Sequence, residues 1–243
     1  MNNKTGSRRS GGRAARRAVR SEASREVAPF LTRSIAPIEL VSEEGLVAIE
    51  ENAETILEEV GIDFRDYPRA LDLLKGAGAE VDGERVRFPK GMCRELVNSS
   101  APESYIHHAR NPDRSVQVGG DSTVFAPAYG PPFVYDLDQG RRYATIDDFN
   151  NFVKLTYQSP HLHISGGTVC EPVDIPVSKR HLDMVYAHLR YSDKPFMGSV
   201  TAAGRAQDTV EMAELVFGKD FLETKTVVTS LINASSPMAW DAT

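Results

Sequence analysis

The sequence is poor in the residues that build disulfide frameworks and metal clusters. It has two cysteines in 243 residues, Cys93 and Cys170, and no Cys-x-x-Cys pair. That excludes a disulfide scaffold and a structural zinc site, and it fits a reducing, cytoplasmic setting. Long apolar runs are also missing. No stretch approaches the ~18 consecutive apolar residues of a membrane-spanning helix, so no membrane partner is expected. No hydrophobic segment follows the N-terminal arginines, which excludes a secretory signal. Nothing recurs at a fixed period, which argues against a solenoid. The glycine pairs Gly119-Gly120 and Gly166-Gly167 lack the Lys-Ser/Thr of a phosphate loop and the spacing of a dinucleotide fingerprint.

What remains is an ordinary globular composition, 41% hydrophobic and 26% charged, enough to bury a sizeable core. The charge is unevenly spread. Residues 1–25 hold eight basic residues against one acidic, a net of +7, which leaves −13 for the rest of the chain. Residues 1–30 have no aromatic cluster or apolar period and read as a basic disordered arm. The acidic body argues against nucleic acid as a partner, because phosphate binding needs a basic face on the folded domain.

Past the arm, residues 31–144 read as an α+β region. Leu46, Ile49, Ala53, Ile56, Leu57 and Val60 recur at helical spacing after the capping residue Ser42, and Gly61 stops that helix. A second helix opens at Pro68. Asp82-Gly83 turns a hairpin, and a third helix with Met92, Leu96 and Val97 facing inward follows Pro89. Between 103 and 144, five short alternating runs are separated by Asn-Pro, Gly-Gly, Pro-Ala and Gln-Gly breaks, the mark of hairpins.

From 145 onward the pattern becomes strand, helix, strand, helix, strand. Thr145 and Asp148 form a capping box ahead of a helix with Ile146, Phe149, Phe152, Val153 and Tyr157 on one side. Strands are expected at 162–164, 196–200 and 227–232. Helices with Leu182, Val185, Tyr186 and Leu189, and with Ala206, Val210, Ala213, Val216 and Phe217, lie between them. This spacing predicts an α/β fold with parallel strands: residues 145–243 as the first three βα units of a (β/α)8 TIM-type barrel, truncated. Three such strands alone leave an open edge, so the chain is expected to be the front half of a larger protein.

The chemistry of such a barrel lies at the carboxyl ends of its strands. Those ends carry Gly166, Gly167 and Thr168, then Ser199 and Thr201, then Asn233, Ser235 and Ser236. The groups are small and neutral, with no carboxylate or histidine pair for acid–base work. Asn233 either orients a substrate or bonds its own turn. His161 and His163 share a strand face, but at the stability end, so no metal site is expected there. His107 and His108 point to opposite faces. Cys170 reads as a buried, inert thiol.

The order of several segments resembles the amino-terminal half of the trimethylamine methyltransferase family. They are Ile56-Leu57-Glu58-Glu59-Val60-Gly61-Ile62, Gly78 to Arg87, Pro131-Pro132-Phe133-Val134-Tyr135-Asp136-Leu137, Asp193-Lys194-Pro195-Phe196-Met197-Gly198 and Ile232-Asn233-Ala234-Ser235-Ser236-Pro237. The likeness runs over roughly residues 35–243 and rests on their joint order.

The resemblance implies an enzyme that moves a methyl group from a methylated amine to the Co(I) of a corrinoid protein. The amine would be trimethylamine or a quaternary amine such as glycine betaine. The corrinoid (cobalamin) is carried by the partner, so this chain binds no cofactor directly, and a homo-oligomer is expected. The position that holds pyrrolysine in founding members falls beyond residue 243, so catalytic residues are expected there. Within this chain, Asn233, Ser236, Thr168 and Tyr129 are the expected substrate contacts, with Tyr129 and Phe125 offering aromatic faces to a cation. The alternative is a non-catalytic binding protein for betaine-like cations. A metal-dependent hydrolase rests on His161 and His163 alone.

Overall fold

The computed structural model describes residues 28–233 and 238–241. The chain begins with a two-residue strand, β1 (Leu31–Thr32), and enters helix α1 (Glu43–Glu59). Ser42 caps it by accepting from the Gly45 N–H at 3.2 Å, with Glu43 and Glu44 at the positive end. Gly61 ends it at φ +73°, where a Cβ would meet the Val86 carbonyl oxygen at 2.2 Å, so only glycine fits. Strand β2 (Ile62–Arg65), helix α2 (Pro68–Gly76), the hairpin β3 (Glu80–Asp82) and β4 (Arg85–Arg87), and helix α3 (Met92–Ser100) follow. Ile62, Ala79, Val86 and Phe88 form a small core under this sheet.

Two further hairpins occupy the region where turn residues predict them. β5 (Ser104–His107) pairs with β6 (Val116–Gly119), and β8 (Phe133–Asp136) pairs with β9 (Gly140–Tyr143). Between them, β7 (Ser122–Thr123) returns antiparallel to β1.

Helix α4 (Ile146–Gln158) starts with the expected capping box, Thr145 and Asp148 each bonding the other's backbone N–H. Arg142 clamps Asp148 at 2.6 and 2.8 Å. Phe149 and Val153 then join Val134, Ala144, Val169, Cys170 and Ala187 in a second core. Helix α5 (Val177–Tyr191), strand β10 (Phe196–Met197), helices α6 (Ala203–Phe217) and α7 (Lys219–Thr224) and strand β11 (Val228–Thr229) complete the alternation. β10 and β11 are parallel, Phe196 opposite Val228. A third segment lies beside β10, because Ser165 N–H donates to the Pro195 carbonyl (2.7 Å) and Met197 N–H to Gly166 (2.9 Å).

The parallel set is shorter than the sequence predicts. Residues 162–164 form no regular ladder, since the His163 and Ile164 N–H groups both turn to the Phe125 carbonyl. Gly166 at φ +92° then bends the chain, seated so close that a Cβ would meet Pro127 at 2.6 Å. The expected strands 196–200 and 227–232 shrink to two residues each. The described residues therefore give a mixed α/β arrangement of seven α-helices and small sheets, with no closed barrel.

The edges of the parallel set are not bare. Phe125 lies along the first segment, and His107 bridges Thr226 beside the third. After that strand the chain leaves the set. β12 (Ala239–Asp241) runs parallel to β2 and gives a four-stranded sheet of order β12-β2-β4-β3, a return the sequence pattern does not announce.

Helical faces differ from expectation in all five helices for which the sequence pattern assigns an apolar face, with Phe152 of α4 and Val210 and Val216 of α6 exposed. Leu46, Ile49, Ile56 and Val60 of α1 are exposed, as are Leu96 and Val97 of α3. On α5 the buried residues are His181, Val185, Ala187 and His188, while Leu182 and Tyr186 face out. Polar partners explain the last case, since both histidines are hydrogen-bonded.

Candidate functional site

Two adjoining cavities open at the carboxyl ends of the parallel segments, and they share Val200, Thr201 and Leu231. Their volumes, about 500 and about 310 Å³, match small-molecule sites.

The larger cavity lies between the third parallel strand and the N-terminal sheet. Asn233 and Ile232 line one side, with Phe64, Arg65, Tyr67, Ala70, Ala239 and Trp240 on the other. The β12–β2 pairing places Trp240 opposite Phe64, with ring centroids 5.1 Å apart and planes at 71°. Asp66, at φ +54°, turns the chain out of β2 and into α2, which brings Tyr67 to the cavity. Its N–H is held by the Glu84 carboxylate at 2.8 Å. Among the described residues no carboxylate and no histidine lines this cavity, and Arg65 carries the one formal charge.

The smaller cavity is lined by Tyr129, Gly167, Thr168, Glu171, Arg180, His181, Met184, Met197, Ser199 and Arg205 among others. Gly130 N–H donates to the Thr168 carbonyl at 2.7 Å, which fixes the loop carrying Tyr129 against the first strand end. Glu171 is neutralised by Arg180, and Arg205 donates to the Thr201 hydroxyl at 2.6 Å. His181 Nε2–H donates to Asp208 Oδ2 at 2.6 Å, and its Nδ1 is buried without a partner among the described residues.

Beneath the rim, His188 fixes the first strand end. Its Nε2 lies 2.8 Å from the Gly167 carbonyl, which can only accept, so Nε2 carries the proton. Nδ1 then accepts from the Ser165 hydroxyl at 2.7 Å. Burial pushes this imidazole down to about 4, so it is a neutral pin rather than an acid or base. At the opposite end, Lys194 Nζ donates to the carbonyls of Thr156, Ser159 and Leu162 at 2.7–2.9 Å. It ties the end of α4 to the start of the first parallel segment.

The comparison with known families decides what this frame belongs to. The family model for trimethylamine methyltransferase (MTTB) matches residues 9–243. The chain belongs to the trimethylamine methyltransferase family. Within curated proteins, a glycine betaine methyltransferase from Desulfitobacterium hafniense (strain Y51) is 46% identical over 206 residues. That match covers 83% of this chain and 42% of the relative, so the chain spans less than half the relative's length.

For this family member, the structure brings together two of the four residues expected from sequence. Thr168 and Tyr129 share the smaller cavity, and Asn233 lines the larger one next door. Ser236 and most of the basic arm, through residue 27, lie outside the described residues. Phe125 stacks on His163 instead of lining either cavity. His163 Nδ1 accepts from the Phe125 N–H at 2.9 Å, and no three His, Cys, Asp or Glu side chains among the described residues converge on a metal position. Cys170 is fully buried, and burial pushes its thiol up to about 12.

Sequence reasoning missed Phe64, Tyr67 and Trp240, which reach the site only through the β12–β2 pairing. It also missed His181 and Glu171, which bring a histidine and a carboxylate to a rim expected to have neither. His181 comes from a helix face, and its i, i+4, i+7 relation to Val185 and His188 is the signal that was there to find. No helix among the described residues is long and apolar enough to cross a membrane.

Proposed function

We propose that this chain is the amino-terminal portion of a methyltransferase that takes a methyl group from a quaternary amine, glycine betaine in particular, and delivers it to a corrinoid protein. The observation that carries this reading is the 46% identity to a glycine betaine methyltransferase. The parallel segments 164–166, β10 and β11 then stand as the first strands of a (β/α)8 barrel completed by sequence beyond this chain, where the catalytic position lies.

The chemistry suits the rim. A quaternary nitrogen that loses a methyl group departs as a neutral tertiary amine, so no proton has to be supplied. Among the described residues the larger cavity has no carboxylate or histidine to supply one. The corrinoid of the partner provides the nucleophilic cobalt that accepts the methyl group. The residues of this chain hold the amine and keep one methyl in line, since orientation is what such a transfer needs. The hydroxyls of Thr168, Ser199 and Thr201 in the smaller cavity suit the amide-fringed edge of a corrin ring.

The test is a demethylation panel with the gene's complete product and a reduced corrinoid acceptor. Glycine betaine should yield dimethylglycine, and trimethylamine should yield no dimethylamine. Demethylation of trimethylamine alone would overturn the quaternary-amine reading. Binding of betaine with no demethylation of either would return the chain to a binding protein.

A further inference from the structure

We propose that Phe64, Tyr67 and Trp240 form the seat of the quaternary ammonium group in the larger cavity, with Arg65 and Asn233 receiving a carboxylate. The site thus takes a betaine, a zwitterion rather than a simple cation. The inference rests on the methyltransferase reading for its ligand class, and on the cavity for its residues.

Three aromatic side chains from two separated stretches of sequence line one cavity, and two of them are set edge to face at 5.1 Å. Aromatic faces attract a methylated ammonium through their quadrupole, and they do so without the desolvation a carboxylate would impose. Among the described residues the lining contains no acid that would serve a lone cation, and its one charge is Arg65, which repels a cation that lacks a carboxylate and attracts one that carries it. One amino group of Arg65 donates to Asp63 Oδ2 at 3.3 Å while Arg85 takes Oδ1 at 2.6 Å, so it is the remaining guanidinium N–H groups of Arg65 that would meet a carboxylate. Asn233, across the cavity at the end of the third strand, adds amide donors for the second carboxylate oxygen. The left-handed residue Asp66 between Arg65 and Tyr67 fits this picture. A non-glycine residue in that conformation is uncommon, and here it lets consecutive stretches of β2 and α2 both contribute to the cavity.

The test uses a feature of the composition. Trp240 is the sole tryptophan of the 243-residue chain, so its fluorescence reports this cavity alone. The chain is titrated with glycine betaine, with tetramethylammonium and with glycine. Betaine should change the emission saturably, tetramethylammonium should bind about tenfold more weakly, and glycine should have no effect. Phe64→Leu and Tyr67→Leu should each weaken betaine about tenfold, whereas Tyr67→Phe keeps the aromatic face and the affinity. Arg65→Gln should bring betaine to the level of tetramethylammonium and leave tetramethylammonium no weaker. Circular dichroism of each variant separates a lost site from a lost fold. No saturable response of the unmodified chain to betaine, or an equal response to glycine, overturns the proposal. Methyl transfer from betaine without a Trp240 response also overturns it and leaves the enzymatic reading standing. A saturable response without transfer supports the site and removes the enzymatic reading instead.

Discussion

Buried titratable side chains fix the ends of this structure, and their protonation states give it a pH signature. His188 and His107 are almost wholly buried, and burial pushes both down to about 4. Each donates through Nε2 to a carbonyl, of Gly167 and Val227 respectively. The unfolded chain takes up a proton near the ordinary histidine value of about 6.5, before the folded chain does. Stability is therefore full above that value and falls as the pH drops toward 4, by about 2 kcal/mol per histidine at pH 5. Urea unfolding at pH 7 and pH 5 checks this, and His188→Gln should remove roughly half of the pH dependence. Lys194 makes a second prediction. Lys194→Met leaves the carbonyls of Thr156, Ser159 and Leu162 without their donor, and it should cost about 3 kcal/mol in the same assay. Single residues were legible in the sequence where the clue was local. Cys170 as an inert thiol and Ser42 as a cap needed only their neighbours. Trp240 was not legible, because its partner Phe64 lies 176 positions away and only tertiary pairing joins them.

Elements with local punctuation formed where the sequence placed them. The Thr145–Asp148 capping box, the Asp82-Gly83 turn and the hairpins of residues 104–143 all rest on local contacts, the longest being Ser104 with Gly119. Asp148 accepts from Arg142 and Thr145, which holds its carboxyl far below the usual range. Thr145→Ala should therefore lower stability by about 1 kcal/mol, read from the thermal transition. Asp148→Asn should cost more, because it also removes the ion pair with Arg142. The second and third parallel strands were drawn too long, and the first, expected at 162–164, forms no strand. Their ladder hydrogen bonds depend on neighbours far along the chain, and at 163–164 the Phe125 carbonyl takes those bonds instead. Helix faces failed for a related reason. Apolar periodicity marks a face that needs a partner and does not say which element covers it.

At the scale of the molecule, most of the apolar face of α1 and the stretch before it are uncovered among the described residues, with Ile38 82% and Leu40 91% exposed. Surface of this kind favours association. Sedimentation of the 243-residue chain should show a mass that rises with concentration, and a Leu40→Lys, Ile49→Lys double variant should shift it toward the monomer. The N-terminal sheet and the third parallel strand meet at the larger cavity, and the lining that comes from Phe64, Arg65, Ala239 and Trp240 was not legible from strand ends alone. The central claim is the fate of the methyl group. Glycine betaine with deuterated methyls, the gene's complete product and a reduced corrinoid protein are incubated without oxygen, and the acceptor is weighed by mass spectrometry. The account predicts one deuterated methyl on the corrinoid for each dimethylglycine formed. Dimethylglycine with no label on the corrinoid, or no dimethylglycine at all, would contradict it.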